Sequence, residues 1–143
     1  MSTSHDPHDA PDLGASLARL LPRLAELEQP ILSQAGLSMW EYAIVSELAS
    51  GDAVSQVELS RRTRRDPTRL GKHLDELAAR ELLIRELSAD QRQRTVRLTE
   101  GGRSTYARVK SAIRVVEEEF LTSVMSTSDA RLFRRLLTDL AEG

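Results

Sequence analysis

The 143-residue sequence contains no cysteine, which excludes a disulfide framework, a thiol redox sensor, a thiolate nucleophile and any cysteine-ligated zinc or iron–sulfur centre. Aromatic residues are scarce as well, at 3%. Leucine, valine, isoleucine and alanine must therefore fill the interior, which favours helices over a sandwich or barrel of aromatic and β-branched strands. Lysine is nearly missing: only Lys72 and Lys110 stand among the twenty basic residues. No apolar stretch approaches the ~20 residues of a membrane span. The segment Met1–Asp12 carries Asp6, Asp9 and Asp12 where a secretion signal has a basic flank and an apolar core. The expectation is a cytoplasmic protein with no membrane partner.

What is present is ordinary in amount and uneven in arrangement. With 40% hydrophobic and 29% charged residues the chain has the composition of one folded domain, and at this length folding buries roughly 70% of the unfolded surface. The net charge of −2 hides a division. From Arg61 to Arg97 eleven basic residues face six acidic ones, a local +5, and the rest of the chain carries −7. Arginine suits planar, bidentate contacts with phosphate or guanine. The count alone fits two readings, a nucleic-acid face and a solvated surface in an arginine-rich composition.

Residues 1–12 lack apolar periodicity and read as a frayed, disordered tail. Leu13, Leu17, Leu20, Leu24, Leu27 and Ile31 then recur at alternating steps of four and three, a heptad-like stripe on a helix ending near Gly36, with Pro22 bending it and Pro30 kinking or ending it early. Ser38-Met-Trp-Glu41 has the form of a capping box opening a helix to about Ala49, with Trp40, Ile44, Val45 and Leu48 as its buried side. Ser55-Gln-Val-Glu58 opens a short helix to about Thr63, and Asp66-Pro67 pairs an N-cap with proline at N1 to start another. Two short helices on a tight turn are a helix-turn-helix.

In the second of these helices Leu70, Leu74 and Leu77 face the core, so Thr68, Arg69, Lys72 and His73 lie on a polar, basic outer face, as a recognition helix requires. Arg64 and Arg65 in the preceding turn suit DNA phosphate contacts, and Arg61 and Arg62 either do likewise or stay solvated. Leu82–Leu87 and Arg94–Leu98 read as two strands joined by a polar loop, a wing, with Val96 and Leu98 on one face. Thr99 caps a long helix striped with Val109, Ile113, Val116, Phe120 and Val124, and Ser126-Thr-Ser-Asp129 caps a last one with Leu132, Leu136, Leu137 and Leu140.

The order of elements and the local motifs resemble the MarR family of bacterial transcription regulators. Asp90-x-Arg92-x-x-x-Val96-x-Leu98-Thr99 with Gly102-Arg103 is similar to the family's wing running into its long helix. Ser55-Gln-x-Glu-Leu59-Ser60 resembles its first helix-turn-helix element, and Thr68-Arg-Leu-Gly-Lys72 stands where the recognition helix usually reads Ser-Thr-Val-Thr-Arg. Three positions depart from the pattern. Glu81 stands where the family usually has glycine, the Arg85–Asp90 segment is one residue shorter, and Gly71 replaces a hydroxyl residue.

The resemblance implies a mostly α fold with a small β-hairpin wing: an N-terminal dimerisation helix at 13–36, a winged helix-turn-helix lobe at 37–99 and C-terminal dimerisation helices at 100–143. It implies a homodimeric, ligand-responsive repressor on a near-palindromic operator in double-stranded DNA, with the Leu13–Ile31 and Val109–Val124 stripes forming the dimer. In the wing, Arg92 is placed for minor-groove insertion, Asp90 for orienting that arginine or fastening the loop, and Arg94 for contact or solvent. Trp40, Tyr42 and Tyr106 either line an effector crevice or pack the core. A winged-helix dimer serving as a protein-interaction module is the alternative, and a small-molecule-binding protein or enzyme a more remote one. No catalytic constellation, metal ligand set or cofactor motif is present: Glu117-Glu-Glu119 diverges around its helix, and His5, His8 and His73 share no ligand spacing.

Overall fold

The computed structural model describes residues 8–143, so His5 and the first half of the expected tail lie outside the described residues. Six helices and a small antiparallel sheet follow one another as α1 (Leu13–Ala35), α2 (Met39–Glu47), β1 (Val54–Ser55), α3 (Gln56–Thr63), α4 (Pro67–Ala79), β2 (Leu83–Leu87), β3 (Arg94–Leu98), α5 (Glu100–Thr122) and α6 (Thr127–Glu142). Each helix begins on a side chain that accepts a hydrogen bond from a backbone N–H that the helix leaves unpaired. Asp12, Ser38, Ser55, Asp66, Thr99 and Ser126 do so for α1 to α6 in turn.

Three local expectations change. Helix α1 runs through both Pro22 and Pro30 without ending; both prolines are exposed, so the carbonyls their missing N–H groups leave unbonded face water. Only Ser38-Glu41 closes a full capping box, the Glu41 carboxylate accepting from the Ser38 N–H at 2.9 Å. In the second motif Glu58 turns instead to the stronger donors Arg61 and Arg62. The sheet has three strands in the order β1-β3-β2, not two, because Val54 and Ser55 pair with Val96 and Thr95 along the free edge of β3.

The core sits where α2, α3 and α4 meet the sheet and the inner faces of α1 and α5. Leu48, Leu59, Leu74, Leu77 and Val96 are fully buried there. Val109 and Ile113 belong to this core, which leaves Val124, beyond the end of α5, exposed. The wing is pinned to the start of α5 by close backbone approach: a Cβ at Gly102 would overlap the Leu82 carbonyl, so only glycine fits. The β2–β3 register runs without a bulge from Leu83↔Leu98 to Leu87↔Arg94, so the shortened segment costs no pairing.

Candidate nucleic-acid interface

The turn between α3 and α4 is made by Arg64, whose φ of +52° caps α3 in the left-handed region, and by the extended Asp66, whose Oδ1 accepts from the Arg69 N–H at 3.0 Å. That hydrogen bond holds the Asp66 carboxyl below its ordinary range, with a smaller contribution from the Arg69 charge. Leu70, Leu74 and Leu77 anchor α4 inward. Thr68, Arg69 and Lys72 are all exposed on the opposite side.

Two other arginines of the basic segment turn inward. The Arg65 guanidinium lies 3.8 Å from the centre of the Trp40 ring and contacts His73 Nε2 through Nη2 at 3.3 Å. A guanidinium only donates, so the ring nitrogen is the acceptor. The Arg65 side chain thus braces the lobe, partly buried where an outward position was expected, and His73 is half-buried against it instead of facing outward. Arg85 of β2 donates to the Gly71 carbonyl at 2.9 Å and to Asp75 at 2.6 Å, fastening the wing to the middle of α4. Sequence reasoning missed this role. The signal was there, since Arg85 alternates in phase with the inward Leu83.

The wing loop is closed by the Ser88 N–H donating to the Gln93 carbonyl at 2.7 Å and by Asp90, which accepts from the Ser88 hydroxyl and from the Arg92 N–H at 3.2 Å. These two donors, the hydroxyl first, hold the Asp90 carboxyl below its ordinary range. Asp90 therefore fastens the loop, and its 4.0 Å approach to Arg92 Nε is a loose surface pair. Arg92 stands at the tip with 85% of its side chain exposed. Arg94 shares the face of Val96 and Leu98 but lies past the end of the core, exposed. Among the described residues the side chains of Arg64, Lys72 and Arg94 make no hydrogen bond or ion pair, whereas Arg61 and Arg62 are held by Glu58, whose carboxyl they pull down to about 2.

The expected aromatic crevice is divided. Tyr42 and Tyr106 stack with centroids 5.9 Å apart. Trp40, two residues from Tyr42 on α2 and so on another side of the helix, is not buried and does not stack with them; it is 44% exposed and belongs to the Arg65 brace. Tyr42 borders a cleft of about 420 Å³ between α1, α2, α5 and α6, with Glu28, Lys110, Arg114, Glu117 and Arg134 around it. Burial pushes the Glu28 carboxyl up to about 7, aided by its hydrogen bond and charge contact with Glu117. Burial, with the neighbouring Tyr106 second, also raises Tyr42.

Among the described residues no helix is long and apolar enough to cross a membrane, and no group of acidic and histidine side chains has the arrangement of a metal site. No protein-family model and no curated protein matches the sequence. Solved structures do. The MarR protein of E. coli in its apo form is 20% identical over 92% of this chain and 98% of its own, with a TM-score of 0.78. The transcriptional repressor CouR, bound to a 23-mer DNA duplex, is 24% identical over 91% and 92%, with a TM-score of 0.77. The MarR family protein Rv2887 of Mycobacterium tuberculosis, in complex with p-aminosalicylic acid, is 25% identical over 92% and 99%, with a TM-score of 0.75. Of these neighbours, CouR is a transcriptional repressor. The chain has the winged-helix fold of the MarR family of transcriptional regulators.

Proposed function

We propose that the protein is a homodimeric, sequence-specific double-stranded DNA-binding transcriptional regulator, a repressor that a small-molecule effector releases from a near-palindromic operator. The observation that carries this reading is the outward face of α4, where Thr68, Arg69 and Lys72 stand exposed beside a wing tipped by Arg92, while the inner face and the flanks of the helix are braced. Arg69 and Thr68 are the base-reaching side chains and Lys72 a phosphate or base contact in the major groove. Arg92 enters the minor groove, Arg94 flanks it, and Arg64 meets phosphate. The chains pair through α1 and the C-terminal helices, and the cleft beside Tyr42 receives the effector; a neighbour of the same fold in complex with a small molecule supports an effector of that class.

Titration of the purified protein against its own promoter region and against random DNA at two salt concentrations tests this. Tight binding is expected only to the promoter, with log K falling by ~0.9 for each neutralised phosphate as log salt rises. Arg69→Ala and Arg92→Ala should each weaken it by about 1–3 kcal/mol. Equal affinity for random DNA, with neither substitution having an effect, would overturn the reading in favour of a protein-interaction module.

A further inference from the structure

One guanidinium joins the ends of three helices. Arg80 is the C-cap of α4, its N–H donating to the Glu76 carbonyl at 3.2 Å. Its side chain reaches 44 residues back in sequence to the end of α1, where Nη1 donates to the Gly36 carbonyl at 2.6 Å and Nη2 to the Ala35 carbonyl at 3.1 Å. The same Nη1 lies 3.8 Å from Glu41, the one buried charged residue among those described, whose other oxygen caps α2. Gly36 makes room for this. Its φ of +70° turns the chain out of α1, and a Cβ there would meet Arg80 Nη2 at 3.0 Å.

We propose that Arg80 is the positioning residue that fixes the angle between the α1 arm and α4. A planar fork sets two carbonyls and a carboxylate in one orientation, which a single ammonium cannot do. The carbonyls at the end of α1 also carry its negative dipole end, so the cation is held from both sides. Helix α4 is therefore coupled to α1 through its C-cap residue as well as through the core. In a two-fold dimer whose chains pair through the arms, this angle sets the distance between the two copies of α4; that consequence rests on the function proposed above, whereas the coupling within one chain does not.

The absence of cysteine allows a direct test. Ala18→Cys on α1 and Glu76→Cys on α4 take spin labels at defined sites, and diluting labelled with excess unlabelled chain leaves only the distance within one protomer. In Arg80→Ala the distance distribution should become roughly twice as wide, as for a segment released to open locally, with helix content retained. Val54→Ala, which weakens the core at β1, a strand paired with β3 and not part of the joint, should keep the parent width. Should Arg80→Ala not fold, Arg80→Lys keeps the stem and charge but not the fork, and should broaden in the same way. An unchanged width in the folded arginine variant, or equal broadening in Val54→Ala, overturns the proposal. On an operator with one base pair inserted between half-sites, the arginine variant should lose less affinity than the parent; if neither protein binds DNA selectively while the distance result holds, the functional reading fails and the joint stands.

Discussion

Between Arg61 and Arg97 the surroundings of each basic side chain decide what it can touch. Arg65 lies against Trp40 and His73, Arg80 against the end of α1, and Arg85 against Gly71 and Asp75. Arg69, Lys72 and Arg92 reach solvent. The sequence shows their charge and spacing but not this division, because an inward arginine needs a partner from another element. Two further residues give measurable consequences. Glu28 binds a proton in the folded chain up to about pH 7, well above the ordinary glutamate value of 4.5. Its raised value makes a contribution to stability that is full below the unfolded value and lost as pH rises through about 7. Glu28→Gln should therefore leave urea stability unchanged at pH 4 and raise it by about 1 kcal/mol at pH 8, after allowance for partial solvent screening. Gly71 lies inside α4 with nothing within 4 Å of an added Cβ, so Gly71→Ala should raise thermal stability by up to about 1 kcal/mol. A loss of operator affinity in the same variant would place DNA backbone against that residue.

Most helices were legible as elements because caps and apolar spacing are local signals. Asp66-Pro67 begins α4 and Ser38-Glu41 begins α2 as their residue types require. The end of α4 was harder, since Glu81 occupies a place suited to glycine. It adopts that conformation itself, with φ +61°, its carbonyl accepting from the Thr99 hydroxyl at 2.7 Å and the next N–H, of Leu82, closing on Leu77 at 3.0 Å. A non-glycine residue is strained there by about 1–2 kcal/mol, and glycine adds unfolded-chain entropy that offsets part of this. Glu81→Gly should thus gain about 0.5–1 kcal/mol in urea unfolding without altering the wing. The two-residue strand β1 had no such signal: two residues show no alternation, and the edge of β3 defines it.

At the scale of the molecule, the apolar surface left uncovered is not quite where the stripes suggested. Val109 and Ile113 are used within the chain, while Leu136 is 50% and Leu140 76% exposed on α6, beside Leu13 and Leu17 at the start of α1. Such a contiguous patch needs a cover in water, and a second copy supplies an identical one in a two-fold arrangement. Leu136→Glu should weaken the proposed dimer by about 2–4 kcal/mol through lost apolar burial and a buried charge. Light scattering should then show a dimer for the parent chain and a monomer for the variant at micromolar concentration, with circular dichroism unchanged; a monomeric parent would refute the dimer. The divided charge acts at the same scale: under the proposed function, acidic residues outside the basic segment would repel DNA from the other surfaces.

The sequence by itself determined the helices, their caps, the helix-turn-helix, the wing strands and the basic character of the segment that holds them. These follow from interactions between residues a few positions apart, which spacing and residue type express directly. Only the tertiary structure decided that Trp40 packs on Arg65 and not with Tyr42, that His73 faces inward, that Glu28 meets Glu117 and that Arg80 joins α1 to α4. Each depends on the direction a side chain takes once two distant elements are packed, and a helix with apolar and basic residues on neighbouring faces has no local feature that fixes which of its basic side chains will find a partner.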